Sequence, residues 1–173
     1  MSYKKQFLVP LRTTLASLHT GLLKEQTVGG YALLPQSLDP DNDRCSSPAE
    51  GKICFRSGDF RLNQNLGLVT LHTLFFREHN RIAGNLCAIN PHWDDERAFQ
   101  VTRRIVESRY QNVVFNEWLP EITGPEVTKR YGLRPRSSGY TKYDPQVDPT
   151  MVNEFAAAAL RFGHSDINGN FKL

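Results

Sequence analysis

Apolar residues recur along this chain at helical spacing, in blocks separated by polar, glycine-rich and proline-rich stretches. Leu8, Leu11, Leu15, Leu18 and Leu22 stand three and four apart, which lays one apolar stripe along a helix over residues 8–23; Gly29 and Gly30 then break the pattern. Leu66 to Ile89 carries the strongest helical signal, with Leu68, Leu71, Leu74, Phe75, Ile82 and Leu86 on one side and Arg77, Glu78, Asn80 and Arg81 elsewhere, and Asn90-Pro91 as its stop. A second long helix is expected from Asp94, where three consecutive acids suit the positive end of a helix dipole, through Ala98, Val101, Ile105, Tyr110 and Val113 toward Trp118, with Pro120 at its end. A shorter helix follows Pro125, then the irregular GLRPRSSGYTKYDPQVDP, then an alanine-rich helix from Thr150 to His164 whose small residues Ala156 to Ala159 permit close approach of a neighbour. Between the first two helices, Pro35 to Phe60 is turn chemistry throughout, with DPDND and SSPAEG, and leads into SGDFRLNQN. No clear alternating strand is present, so the expectation is a mainly α fold with long irregular loops of the kind that line sites.

Composition narrows the function classes without naming one. A chain of 173 residues suits one ordinary domain. Its 21 Lys and Arg against 18 Asp and Glu are scattered, with no basic block or interleaved aromatic stripe, so nucleic-acid binding has no support. No apolar run approaches the roughly 20 residues of a membrane span, and the apolar part of MSYKKQFLVPLRTT is too short for a signal peptide. Cys45 and Cys54 bracket an eight-residue polar loop containing Pro48 and Gly51 that can bend enough to bring them together, leaving Cys87 over. Such a disulfide implies an oxidising compartment, and its tension with the missing leader is resolved if the sequence is incomplete at its start. No N-x-[ST] sequon is present to decide the matter.

Among residues that could carry chemistry, His72 and His79 flank Glu78 on the strongest helix, but ligands i and i+7 on a helix lie about 10.5 Å apart along its axis, too far for a shared small ion. The inverted zincin pattern H-x-x-E-H also fails, because position 75 is Phe, so a structural role is expected for both histidines. Cys87 has no His and Asp or Asn arrangement to make it a nucleophile. His164 stands differently, directly after Gly163 at the end of the alanine-rich helix, where the missing side chain would let a flat group approach the backbone. Arg61 lies between a Gly-Asp turn and the strongest helix, near a helix start suited to negative charge. On the residues alone, a helix-end histidine and a surface arginine are the plainer readings of these two.

Taken together and in order, SGDFRLNQNLGLVTLHTLFFREHNRIAGNL, INPHWDDERAFQVTRRIV, WLPEITG and YDPQVDPTMVNEFAAAALRFGH resemble the animal haem peroxidases, the superfamily of myeloperoxidase, peroxidasin and arthropod chorion-type peroxidases. The resemblance runs from about Leu8 to the end of the chain. It implies that Arg61 is the distal arginine, which polarises bound peroxide and stabilises charge on the departing oxygen. By the same resemblance His164 is the proximal histidine that ligates haem iron, Arg161 pairs with a haem propionate, and Cys45 and Cys54 form the family's short disulfide loop, with an extracellular location. Gln64 falls at a haem-facing position where many members carry a glutamate that forms an ester with haem; a neutral amide cannot use that chemistry, which argues against covalent attachment here.

The resemblance also implies absences. The family's distal histidine, its calcium-binding loop and an aspartate able to esterify haem lie upstream of the matching region, and His19, with no Asp after it, does not fit the distal motif. The chain ends nine residues after His164, before the asparagine that holds the proximal imidazole. Residues 1–173 are therefore expected to be the central part of a haem peroxidase domain, with both ends absent. The implied function is reduction of hydrogen peroxide with haem b as cofactor, coupled to oxidation of a small donor, whether halide, phenol or tyrosyl side chain. The alternative is a non-catalytic remnant acting as an interaction or adhesion module.

Overall fold

The computed structural model describes residues 21–38, 54–140 and 143–170. Along these, a short hairpin of β1 (Gln26–Val28) and β2 (Tyr31–Leu33) precedes a 3-10 turn at Leu62–Gln64 and three longer helical elements. These are α1 (Leu66–Ile89), α2 (Asp95–Val113) and α3 (Leu119–Arg130), the last reached through a π-helical turn at Val114–Trp118. A five-residue α4 (Asn153–Ala157) and a second 3-10 turn at Ala159–His164 close the described order. The fold is mainly α, as the patterning implies.

α1 and α2 pack on one another, and five side chains from separate elements meet in the core: Leu23, Leu34, Leu62, Phe76 and Phe99. Leu23 and Leu34 come from the segments flanking the hairpin, Leu62 from the first 3-10 turn, Phe76 from α1 and Phe99 from α2. Leu62 thus ties the turn that carries Arg61 directly into the core. Both long helices start on side-chain caps that satisfy amide groups otherwise left without partners: Asn65 Oδ1 accepts Leu68 N–H at 3.0 Å, and Asp94 Oδ1 accepts Arg97 N–H at 2.7 Å. The acids Asp94, Asp95 and Glu96 therefore divide their work, since Asp94 caps α2 while Asp95 Oδ1 accepts Gly21 N–H at 2.9 Å.

The observed elements depart from the periodicity in several places. Strands are present after all: Gln26 pairs with Leu33, Thr27 with Ala32 and Val28 with Tyr31, with Gly29 and Gly30 at positive φ forming the tight turn. Three-residue strands are too short to display an alternating pattern. Of the proposed helix over residues 8–23, most lies outside the described residues; Gly21 at φ +57° and the buried, bridge-forming Leu23 are not helical. On α1 the buried residues are Phe76, His79, Ile82 and Ala83, while Leu71 and Leu74 are more than half exposed, because the face that meets α2 and the segment after Gly21 is rotated from the leucine stripe. Pro120 does not end a helix but sits in the first turn of α3, directly after the π-helical turn. The break comes instead at Gly124 (φ +77°, ψ 158°), and Pro125 restarts the helix as expected. The proposed helix from Thr150 to His164 is interrupted at Ala158 (φ −128°, ψ −67°), which divides it into α4 and a 3-10 turn. Ala156 to Ala159 are exposed.

Candidate functional site

Arg61 stands on a turn fixed from both sides. Upstream, Cys54 lies in a disulfide, and the next residue, Phe55, is clamped by Asn63: its N–H donates to Asn63 Oδ1 at 3.0 Å and its carbonyl accepts from Asn63 Nδ2 at 2.8 Å. A backbone bridge between Gln36 and Phe55 holds the same strand-like segment against the chain leaving the hairpin. Downstream, Leu62 enters the core and Asn65 caps α1. Between these anchors, Leu62 and Asn63 point inward and are buried, whereas Arg61 and Gln64 are exposed. Residues i and i+3 eclipse on a 3-10 turn, so Arg61 and Gln64 share its outer face.

The Arg61 guanidinium meets the Asp59 carboxylate through Nε–Oδ1 at 3.0 Å and Nη2–Oδ2 at 2.7 Å. These hydrogen bonds pull the Asp59 carboxyl below its ordinary range and push Arg61 further up, so both stay charged at neutral pH. Behind Asp59 lies a cavity of about 360 Å³ lined by Leu71, His72, Phe75, Phe76 and Tyr110 among others. A larger open groove between α1 and α2, about 850 Å³, contains none of Arg61, Gln64, Arg161 or His164.

Arg161 and His164 lie on the second 3-10 turn, again at i and i+3 and thus on one face, and both are exposed. Between them, a Cβ added at Gly163 would meet no heavy atom within 4 Å. Among the described residues, no hydrogen bond or ion pair joins the side chains of Gln64, Arg161 or His164 to a protein group, and none links the His164 turn to the Arg61 turn. Two small constellations are built, then, one on each 3-10 turn. Cys45, the expected partner of Cys54, and His19 lie outside the described residues.

The histidines of α1 have structural work. His72 Nδ1 lies 2.7 Å from the Leu68 carbonyl one turn back. His79 is buried, packs against the Phe99 ring and donates from Nε2 to the Gly21 carbonyl at 3.0 Å. No cluster of three or more potential metal ligands occurs among the described residues. Cys87 is half-buried, and burial pushes its thiol pKa up, the opposite of what a nucleophile needs. Burial also lowers the His79 pKa below 6.5, outweighing the hydrogen bond to Gly21, which pulls it upward. The unfolded chain therefore takes up a proton at this position before the folded one does. Stability is expected to be full above about pH 6.5 and to fall as pH drops below it. Urea unfolding midpoints between pH 7.5 and 5 check this, and His79→Gln, which can still donate to Gly21, is expected to flatten the decline.

Sequence reasoning passed over Asn63, Asp59 and Gly21. Asn63 and Gly21 carry no motif, and only the fold pairs them with Phe55, Asp95 and His79. Asp59 did carry a signal, since an Asp two residues before an Arg is placed to form a local side-chain turn.

The model of the animal haem peroxidase family matches residues 10–173. Among curated relatives, a chorion peroxidase of Aedes aegypti is 45% identical over 160 residues, covering 92% of this chain and 20% of that protein. A peroxidasin homologue of Mus musculus is 43% identical over 153 residues, or 87% of this chain and 10% of that protein. Among solved structures, peroxidase A of Dictyostelium discoideum superposes with a TM-score of 0.65 at 34% identity, covering 87% of this chain and 27% of the other. The chain spans about a fifth or less of the length of these curated relatives.

Proposed function

Because this chain belongs to the animal haem peroxidase family, we propose that it is the central part of a peroxidase domain and contributes Arg61 to peroxide activation and His164 to haem binding. The observation that carries this reading is that the two exposed 3-10 turns bear the charge and the ligand that such chemistry requires, within a chain matched from residue 10 to its end.

The donor set suits haem. His164 offers an exposed imidazole, Arg161 a guanidinium on the same face, and the glycine between them leaves the open space a flat ring needs. When bound, haem would supply the redox-active iron at which hydrogen peroxide is reduced by two electrons. Arg61 would place a fixed positive charge beside the peroxide oxygen on which negative charge develops as the O–O bond breaks. Its pKa, pushed up by Asp59, keeps it cationic at any pH the protein meets. Gln64, on the face of Arg61, can give and accept hydrogen bonds but cannot form an ester, so haem is proposed to be held without a covalent link there. The reducing donor is a halide, a phenol or a tyrosyl side chain.

An extracellular setting is supported by the disulfide at Cys54, for which Cys45 is the proposed partner, since such bonds persist in oxidising compartments. No helix among the described residues is long and apolar enough to cross a membrane. The competing reading, a non-catalytic interaction module, draws on the exposed Leu160, Phe162 and Ile167 around the His164 turn.

In haem-loaded protein, Arg61→Ala is expected to slow the peroxide-driven change of the Soret band by about 10²- to 10³-fold, the usual loss when one preorganised charge-stabilising group is removed. Stopped-flow spectroscopy measures it. Equal rates in the two proteins would remove Arg61 from the reaction and favour the interaction module.

A further inference from the structure

We propose that Asp59 is the positioning residue of Arg61, a role that rests on the reading of Arg61 just given. One carboxylate holds both the backbone and the head group of this arginine. Asp59 Oδ1 accepts the Arg61 backbone N–H at 2.8 Å and its Nε–H at 3.0 Å, while Oδ2 accepts from Nη2 at 2.7 Å. The first bond is a side-chain turn that sets where the Arg61 side chain leaves the backbone; the other two set its direction.

The pair is asymmetric. The Asp59 side chain is 13% exposed and that of Arg61 57%, so the anion is seated in the turn and the cation projects from it. Asp59 is itself held, for its N–H donates to Ser57 Oγ at 3.1 Å, Ser57 Oγ–H donates to the Asp59 carbonyl at 2.9 Å, and Leu62 N–H donates to the same carbonyl at 3.1 Å. Through Leu62 in the core and Asn63 on Phe55, the carboxylate becomes a rigid mount for a long side chain. A guanidinium presents five N–H groups, and Asp59 engages two, leaving the far edge for an anionic oxygen. An exposed ion pair does little for folding stability, so the consequence of this one is orientation.

The test uses the 173-residue chain. Asparagine at position 59 still forms the side-chain turn, so Asp59→Asn keeps the backbone and removes only the charged hold on the guanidinium. The 15N–1H resonance of Arg61 Nε, assigned by its loss in Arg61→Lys, is expected to exchange with water about tenfold slower than those of exposed arginines, as a charge-assisted hydrogen bond predicts. Asp59→Asn is expected to erase that protection and Asp59→Glu, which keeps the charge one methylene further out, to restore part of it. In haem-loaded protein the same Asp59→Asn change is expected to slow the peroxide-driven Soret change by about 10- to 100-fold, the scale of a misplaced reacting group, and by less than Arg61→Ala. Unchanged Nε exchange in Asp59→Asn overturns the proposal whatever the peroxide rates. So does lost protection with a wild-type peroxide rate, provided that Arg61→Ala is slow. If Arg61→Ala itself reacts at the wild-type rate, what fails is the reading of Arg61, and the exchange data still decide whether Asp59 holds it.

Discussion

Replacing Gly21 by alanine is expected to lower the unfolding free energy by about 2–5 kcal/mol, from a left-handed backbone penalty of about 1–2 and an overpacking penalty of about 1–3. Gly21 has φ +57°, and a Cβ there would lie 2.6 Å from Phe99 N, 2.7 Å from Ala98 C and 2.8 Å from Ala98 Cβ. Two of those atoms are backbone of α2 and cannot swing aside. The displaced residue would strain the hydrogen bond it gives to Asp95 and the one it takes from His79, which fasten Gly21 to both long helices. Against the roughly 5–15 kcal/mol of a typical domain, that loss is severe. The same substitution elsewhere separates the causes. Gly30→Ala shares the positive φ, at +83°, but meets nothing within 4 Å, so only the backbone penalty of about 1–2 kcal/mol is expected. Gly84→Ala lies inside α1 in open space and should stabilise by about 0.5–1 kcal/mol. Urea unfolding followed by circular dichroism ranks the three; if Gly21→Ala is no worse than Gly30→Ala, the close seat of Gly21 on α2 is not a feature of the folded chain.

That contrast also marks what a single sequence can disclose. The limits of α1 were legible because capping and stopping are local: Asn65 and Asn90-Pro91 act within one turn. Which of its apolar side chains are buried was not, since Leu71 and Leu74 look as core-like as Phe76 until the positions of α2 and Leu23 are known. The same holds for function. The roles proposed for Arg61 and His164 rest on their place in long family motifs, whereas the hold on Arg61 depends on a partner only two residues away whose importance lies in geometry rather than in residue type. Gly21 stands at the other extreme, for its partners are 58 and 74 residues distant and no local pattern announces them. Nothing in the structure explains the interruption at Ala158, which falls on exposed residues and divides an apparent alanine-rich helix into α4 and a 3-10 turn.

That turn sets up the second large effect. His164→Ala is expected to abolish one-to-one haem binding, followed as the Soret band during a haem titration of the 173-residue protein. An α-helix would place residues 161 and 164 about 300° apart, near but not on one line, whereas three residues per turn bring them into register. On the proposed reading this alignment would let Arg161 hold a haem propionate while His164 offers its imidazole to the iron, and a Cβ at Gly163 would meet nothing within 4 Å. Arg161→Gln is accordingly expected to weaken binding by about tenfold, the scale of one charge-assisted hydrogen bond, without abolishing it. His92→Ala, an exposed histidine on another loop, serves as control and should leave the titration unchanged. Added imidazole supplies the missing axial nitrogen from solution, so it should return the Soret position in His164→Gly if coordination, rather than folding of the turn, is what the substitution removed. Binding that survives His164→Ala, or that imidazole leaves unaltered in His164→Gly, would assign any haem affinity of this chain to apolar contact and take the axial role away from His164.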